Sequence, residues 1–114
     1  MQVHYLEIVT NEVDAVCAAY SAATGATFGD PVEGLGGAKT ASMTGGGLLG
    51  VRQPLHQTED PVVRPYWLVD DITSALENAV GAGAEVAHPA MEIPGYGTFA
   101  IYIQGGIHHG LWQL

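Results

Sequence analysis

The sequence predicts an α+β protein of two βαβββ units, their paired curved mixed sheets enclosing a cleft and their helices on the convex side. Three observations carry that prediction. Two seven-residue apolar stretches, 3–9 (VHYLEIV) and 63–69 (VRPYWLV), stand sixty positions apart and read as strands. Each is followed, in the same order, by a polar or acidic junction (Thr10-Asn11, Asp70-Asp71), an alanine-rich helical pattern, a Gly-Ala pair (Gly25-Ala26, Gly83-Ala84) and a proline (Pro31, Pro89). Further on, Gly45-Gly46 answers to Gly105-Gly106 and residues 49–53 answer to 109–113, again at an offset of sixty. The order, more than any single match, marks two copies of a unit of about 57 residues.

In the first copy, strand 3–9 leads to a helix that Asn11 is placed to cap, with Val13, Val16, Cys17 and Tyr20 at helical spacing and Glu12 and Asp14 in its first turn. Gly25 ends it. A short strand at 26–30 breaks at Pro31, and a hairpin of 38–44 and 48–53 turns through Gly45 to Gly47. The stretch 54–61, with His56, Glu59 and Asp60, is polar and aperiodic and reads as the connection. The organisation is thus one domain, with repeat unit one at 1–54, a linker at 55–62 and repeat unit two at 63–114. In the second copy Asp70 or Asp71 caps a helix bearing Ile72, Ala75, Leu76, Ala79 and Val80 on one side, and Gly81 and Gly83 close it. Strands at 85–89, 98–104 and 108–114 follow, with a Pro94-Gly95-Tyr96-Gly97 loop after the first of them.

Composition removes several function classes. Twelve acidic residues against Lys39, Arg52 and Arg64 give a formal charge of −9, a surface that repels phosphate backbones, so neither nucleic acid nor an anionic membrane is an expected partner. Two readings of that acidity stand, solubility and attraction of a cationic small molecule. Cys17 is the single cysteine, so no internal disulfide can form; on the apolar side of its helix it reads as core. No basic-then-apolar leader precedes the first strand and no apolar run is long enough to span a bilayer, so a soluble cytoplasmic protein is expected. No Ser-His-Asp spacing, dinucleotide-binding glycine pattern or Walker-type loop is present.

The two units and the phrases EIVTNEVDAVCAAY, VDDITSAL, HPAMEIPGYGTFAIYI and HGLWQL resemble the vicinal oxygen chelate superfamily, which includes glyoxalase I, extradiol dioxygenases and bleomycin-resistance proteins. The resemblance implies a cleft, frequently completed across a homodimer. It also implies that metal-dependent members draw their ligands from the first and last strands of each unit, positions that align here with His4, Gly50, Arg64 and Gly110. Only His4 among these can ligate a divalent ion, whereas a catalytic site needs about three protein ligands. No metal and no other cofactor is therefore expected.

Strand alternation places His4, Leu6 and Ile8 on one face and Arg64, Tyr66 and Leu68 on another. If the ligand positions of the superfamily face the cleft, so do these, together with Leu48, Gly50, Arg52, His108, Gly110, Trp112 and Leu114. The result is a mainly apolar and aromatic pocket in which the two glycines leave room for a ligand. Arg52 and Arg64 offer donor forks to a carboxylate, a phosphate or a polarised carbonyl; equally, each can pair with a local acid such as Glu7, Glu59 or Asp60. His4 is a candidate general base or a hydrogen-bonded strand histidine. Tyr96 is a candidate lid residue or packs on its own loop. The reading that follows is a metal-free small-molecule-binding protein that sequesters a ligand in its cleft. Its alternative is a metal-independent lyase or isomerase, with His4 as base and Arg64 or Arg52 stabilising an oxyanion or carboxylate.

Overall fold

A computed structural model describes residues 1–114 as an α+β protein with seven strands, two α-helices and one short 3-10 turn. The chain divides into an N-terminal unit, Tyr5–Val63, and a C-terminal unit, Met1–His4 with Arg64–Leu114. The first four residues join the second unit through Leu68 N, which donates to Gln2 O at 2.8 Å.

The N-terminal unit contains most of β1 (Val3–Val9), then α1 (Val13–Thr24), the 3-10 turn (Glu33–Leu35), β2 (Lys39–Ser42) and β3 (Leu48–Arg52). Its strands lie in the order β2-β3-β1, with β3 antiparallel to β2 and parallel to β1. The β2–β3 hairpin closes through three glycines at positive φ, 87° to 108°, a region closed to most side chains. One face of the sheet packs on α1, where Ile8, Leu49, Val51 and Cys17 are buried together and Leu6, Val13, Val16 and Tyr20 complete the cluster. Removing a valine such as Val51 fully from water contributes about 1.5–3 kcal/mol.

Two expectations for this unit change. Residues 26–30 form no strand, and the unit is βαββ; Gly29 N donates to Thr40 O at 2.9 Å and Val32 bridges Ala38, but Pro31 has no N–H with which to extend a ladder. Asn11 does not cap α1. Glu12 occupies the N-cap without a side-chain bond, and its N–H donates instead to Thr10 Oγ1 at 3.0 Å. At the other end Gly25, at φ 77°, closes the helix on Ser21 O as the sequence implies.

The C-terminal unit holds β4 (Val62–Leu68), α2 (Ile72–Gly81), β5 (Glu85–Ile93), β6 (Gly97–Gln104) and β7 (Ile107–Gln113), in sheet order β4-β7-β6-β5. β4 and β7 are parallel, and the other pairs antiparallel. Asp71 caps α2 by accepting from Ser74 N at 3.0 Å, and Ile72 N is tied to Gln113 Oε1 at 2.8 Å. Ile72 of the helix is buried with Ala100 and Leu111 of the sheet, joined by Ala75 and Leu76 of the helix and by Trp67, Val69 and Tyr102. β5 runs on past Pro89, where its expected end lay. Two register irregularities flank His88, and bulges on an outer strand are where a residue without an N–H is tolerated.

The ladders also correct the internal repeat. Glu7 lies opposite Gly50 and Tyr66 opposite Gly110, so the glycines are sixty positions apart but the first strands correspond at fifty-nine. Tyr5, not His4, is the counterpart of Arg64, and Glu7, not Leu6, that of Tyr66. A shift of one residue exchanges the faces of a strand.

Candidate functional site

In the N-terminal unit the face away from α1 is set by β3, whose Leu49 and Val51 enter the helix cluster and whose Gly50 and Arg52 therefore point the other way. Tyr5 and Glu7 join them. Leu6, expected at the site, is instead packed against the α1 cluster with Ile8, as the corrected register requires. Gly50 does not leave room for a ligand: a Cβ there would come within 2.5 Å of Tyr5 Cζ, so the phenol fills the space over the glycine.

Arg52 is built into the unit. Its Nε donates to Glu7 Oε2 at 2.9 Å, Nη1 to Glu59 Oε1 at 2.8 Å and to Gln53 O at 3.1 Å, and Nη2 to Glu59 Oε2 at 2.8 Å. Both Arg52 and Glu7 are buried, at 6% exposure each. The bidentate bonds from Arg52 hold the Glu59 carboxyl down at about 2, and the same bonds raise the Arg52 guanidinium above its ordinary value. Of the two roles open to Arg52, pairing with local acids is the one observed. Glu59 also accepts from Leu55 N at 2.7 Å, so the stretch expected to be a plain linker is fastened to the end of β3. A separate hollow of about 570 Å³ opens beside the start of α1, between Asn11, Glu12, Pro31, Gly36 and Lys39. Its cation is engaged, since Lys39 Nζ lies 3.0 Å from Asp14 Oδ1.

In the C-terminal unit Trp67 and Leu111 face α2, which sends Arg64, Tyr66, Gly110 and Trp112 to the opposite side. Here too the glycine is covered: a Cβ on Gly110 would lie 2.5 Å from Tyr66 Cγ and 2.8 Å from Pro65 O. Tyr66 meets Trp112 edge to face at 5.8 Å and Phe99 at 6.2 Å, and the His88 ring lies tilted against that of Phe99 at 4.7 Å. At the other end the His4 ring lies 5.7 Å from Trp112. The result is a continuous row, His4–Trp112–Tyr66–Phe99–His88, buried at its middle and half-buried at both ends. Arg64, itself buried, reaches Tyr66 Oη with Nη1 at 3.5 Å.

The 94–97 turn is anchored to the same row. Tyr96 O accepts from Trp112 Nε1 at 3.1 Å, and Gly97, at φ 137°, lies so close to Trp112 and Gln113 that a side chain there would collide. His108 is exposed on β7, whereas His109 turns to the helix side, stacks on Tyr102 at 5.1 Å and donates through Nε2 to Gln104 O.

Phe99 and His88 were not among the residues singled out by sequence. The alternation in TFAIYI could have found Phe99, because Ala100 and Tyr102 read as one face and Phe99, Ile101 and Ile103 as the other. His88 could not be found, since bulges set its direction. The residues do not fit the chelated metal of the superfamily: two of the four aligned positions are glycines under tyrosine rings, a third is arginine, and no three His, Cys, Asp or Glu side chains group to hold an ion.

Neither a protein-family model nor a curated protein matches the chain in sequence. Solved structures do match it in fold. A hypothetical protein from Bacillus halodurans C-125 is similar with a TM-score of 0.76 at 12% identity, covering 99% of this chain and 94% of its own. The methylmalonyl-CoA epimerase of Mycobacterium tuberculosis is similar at 0.72 and 13%, covering 97% and 86%. A variant of the Streptomyces coelicolor methylmalonyl-CoA epimerase, in complex with 2-nitronate-propionyl-CoA, is similar at 0.70 and 13%, covering 99% and 96%. These neighbours belong to the vicinal oxygen chelate fold superfamily, and the chain shares their fold. No helix is long and apolar enough to cross a membrane.

Proposed function

We propose that this protein binds a small, flat, largely apolar molecule on the aromatic row of its C-terminal unit, without a metal ion. The observation that carries the reading is the row itself, in which buried Tyr66 and Trp112 give a rigid floor and half-buried Phe99 and His88 bring aromatic surface to solvent. Such a surface gains more from a π-system than from an extended polar ligand. Arg64 beside Tyr66 favours one polar or weakly anionic handle. A homodimer that completes the site, and sequestration of the ligand as its purpose, belong to this reading. The coenzyme A esters bound by the neighbouring epimerases fit poorly, because Lys39 and Arg52 are already paired with carboxylates and the chain carries −9.

The test is a titration of the isotopically labelled protein with neutral and monoanionic aromatic compounds, followed by backbone amide shifts. Shifts should cluster on β5, β6 and β7, and Phe99→Ala should weaken binding by about tenfold, the loss of one aromatic contact and its buried area. Shifts confined to the N-terminal unit, or none with any compound, would overturn the reading.

A metal-independent isomerase or lyase is the second reading, favoured by the epimerase fold neighbours. Arg52 is committed elsewhere, so His4 as base and Arg64 as the charge-stabilising group would carry the chemistry. Turnover that His4→Gln abolishes while leaving affinity intact would decide for it.

A further inference from the structure

Resting on the aromatic-row reading, we infer that His88 is a ligand-contacting residue that selects aromatic molecules bearing a hydrogen-bond donor, such as a phenol or an aromatic N–H. Two features position it. Register irregularities on both sides, between Val86 and His88 and between His88 and Met91, re-aim the strand so that the imidazole lies tilted against Phe99, at 4.7 Å and 32°. Its Nδ1 lies 2.7 Å from Pro89 O, and a carbonyl oxygen can only accept.

That single contact fixes the proton. Neutral His88 carries its hydrogen on Nδ1, which leaves Nε2 as an acceptor on the far edge of the ring. Pro89 contributes the carbonyl and, lacking an N–H, has no ladder donor to lose at this point of the outer strand. The imidazole is therefore packed against Phe99 and held in one tautomer by Pro89. A flat ligand lying over Phe99 presents its rim to Nε2, where a hydroxyl or N–H donates and an ether or unsubstituted edge does not. An acceptor that the bound ring cuts off from water and leaves unmatched disfavours the molecule lacking the donor.

The matched probes are 2-naphthol and 2-methoxynaphthalene, which share a ring system and differ in the donor. The wild-type protein should bind 2-naphthol about five- to tenfold more tightly by calorimetry, the range expected of one net hydrogen bond. His88→Phe keeps a ring on Phe99 and should bring the two affinities together. Discrimination that survives in His88→Phe, with binding still on β5 to β7, would overturn the role of His88 and leave the aromatic-row reading standing. Absence of binding by either probe in the wild type would overturn both. A measurement on the unaltered protein is independent of how the variant folds: long-range proton–nitrogen correlation should show the Nδ1–H tautomer at His88, and an Nε2–H tautomer would sink the inference.

Discussion

Tyr5 and Tyr66 each lie across a glycine of a last strand, so that the ring fills the space over the glycine. The backbone at Gly50 and Gly110 has no positive φ, so glycine is required there by space alone. Gly110→Ala should therefore destabilise the protein by about 1–3 kcal/mol in urea unfolding, the usual cost of overpacking. Gly50→Ala should cost a similar amount, and in a Tyr5→Ala background that added cost should vanish, because the obstructing atoms are the phenol's own. Additive effects in the double variant would show that the ring is not what excludes the methyl. Glu59 gives a second test. Its carboxyl falls from 4.5 to about 2, chiefly through the Arg52 hydrogen bonds, so its folded value lies below its unfolded one. The stabilisation it provides is whole above pH 4.5 and is lost as the pH falls through that window towards 2. That amounts to roughly 3 kcal/mol on the linkage relation. Glu59→Gln should flatten this part of the stability profile, and an unchanged slope between the two limits would contradict the assigned pairing.

Helix starts show how a local signal succeeds or fails within one chain. Asp71 accepts from Ser74 N, and the same backbone bond keeps its carboxyl below the ordinary value; Asn11, one residue too early, caps nothing. Asp71→Ala should lower the melting temperature and Asn11→Ala should leave it unchanged; equal shifts in calorimetry would refute the distinction. The wider pattern of what could be read is similar. Seven strands and both helices were legible because period and punctuation repeat, whereas the expected strand at 26–30 does not form. The face of β1 was not, because alignment at sixty rather than fifty-nine turned Tyr5 and Glu7 inward on paper and Leu6 outward. Arg52 was legible as paired or ligand-facing but undecided, since only the path of residues 54–61 brings Glu59 back to it. β5 was cut short at Pro89 on a sound rule whose exception, an outer strand with bulges, is a property of the sheet. That same irregularity, with Glu85 and Glu92 nearby, protects an exposed edge from pairing with another chain.

At the scale of the whole molecule, charge and contact chemistry ask for different things and act over different distances. Twelve acids against three cations create a negative potential felt across about a Debye length, near 10 Å at 0.1 M salt. On the proposed reading, contact is decided at shorter range by the aromatic row, with Arg64 beside Tyr66. Adding a dianion to a ligand that suits the row should therefore hurt binding, through repulsion that salt can screen. With 2-naphthol and 2-naphthyl phosphate as probes, the phosphate should bind more weakly at low salt, and the gap should narrow as the salt concentration rises from about 0.02 M to about 0.5 M. The neutral probe should change by less than about twofold over the same range, because burial of an apolar ring is little affected by screening. A phosphate that binds more tightly at low salt, and loses affinity as salt is added, would mean that a cationic patch governs recognition. In that case Arg64 would have to dominate the field of all twelve carboxylates, and the site would belong to anionic ligands.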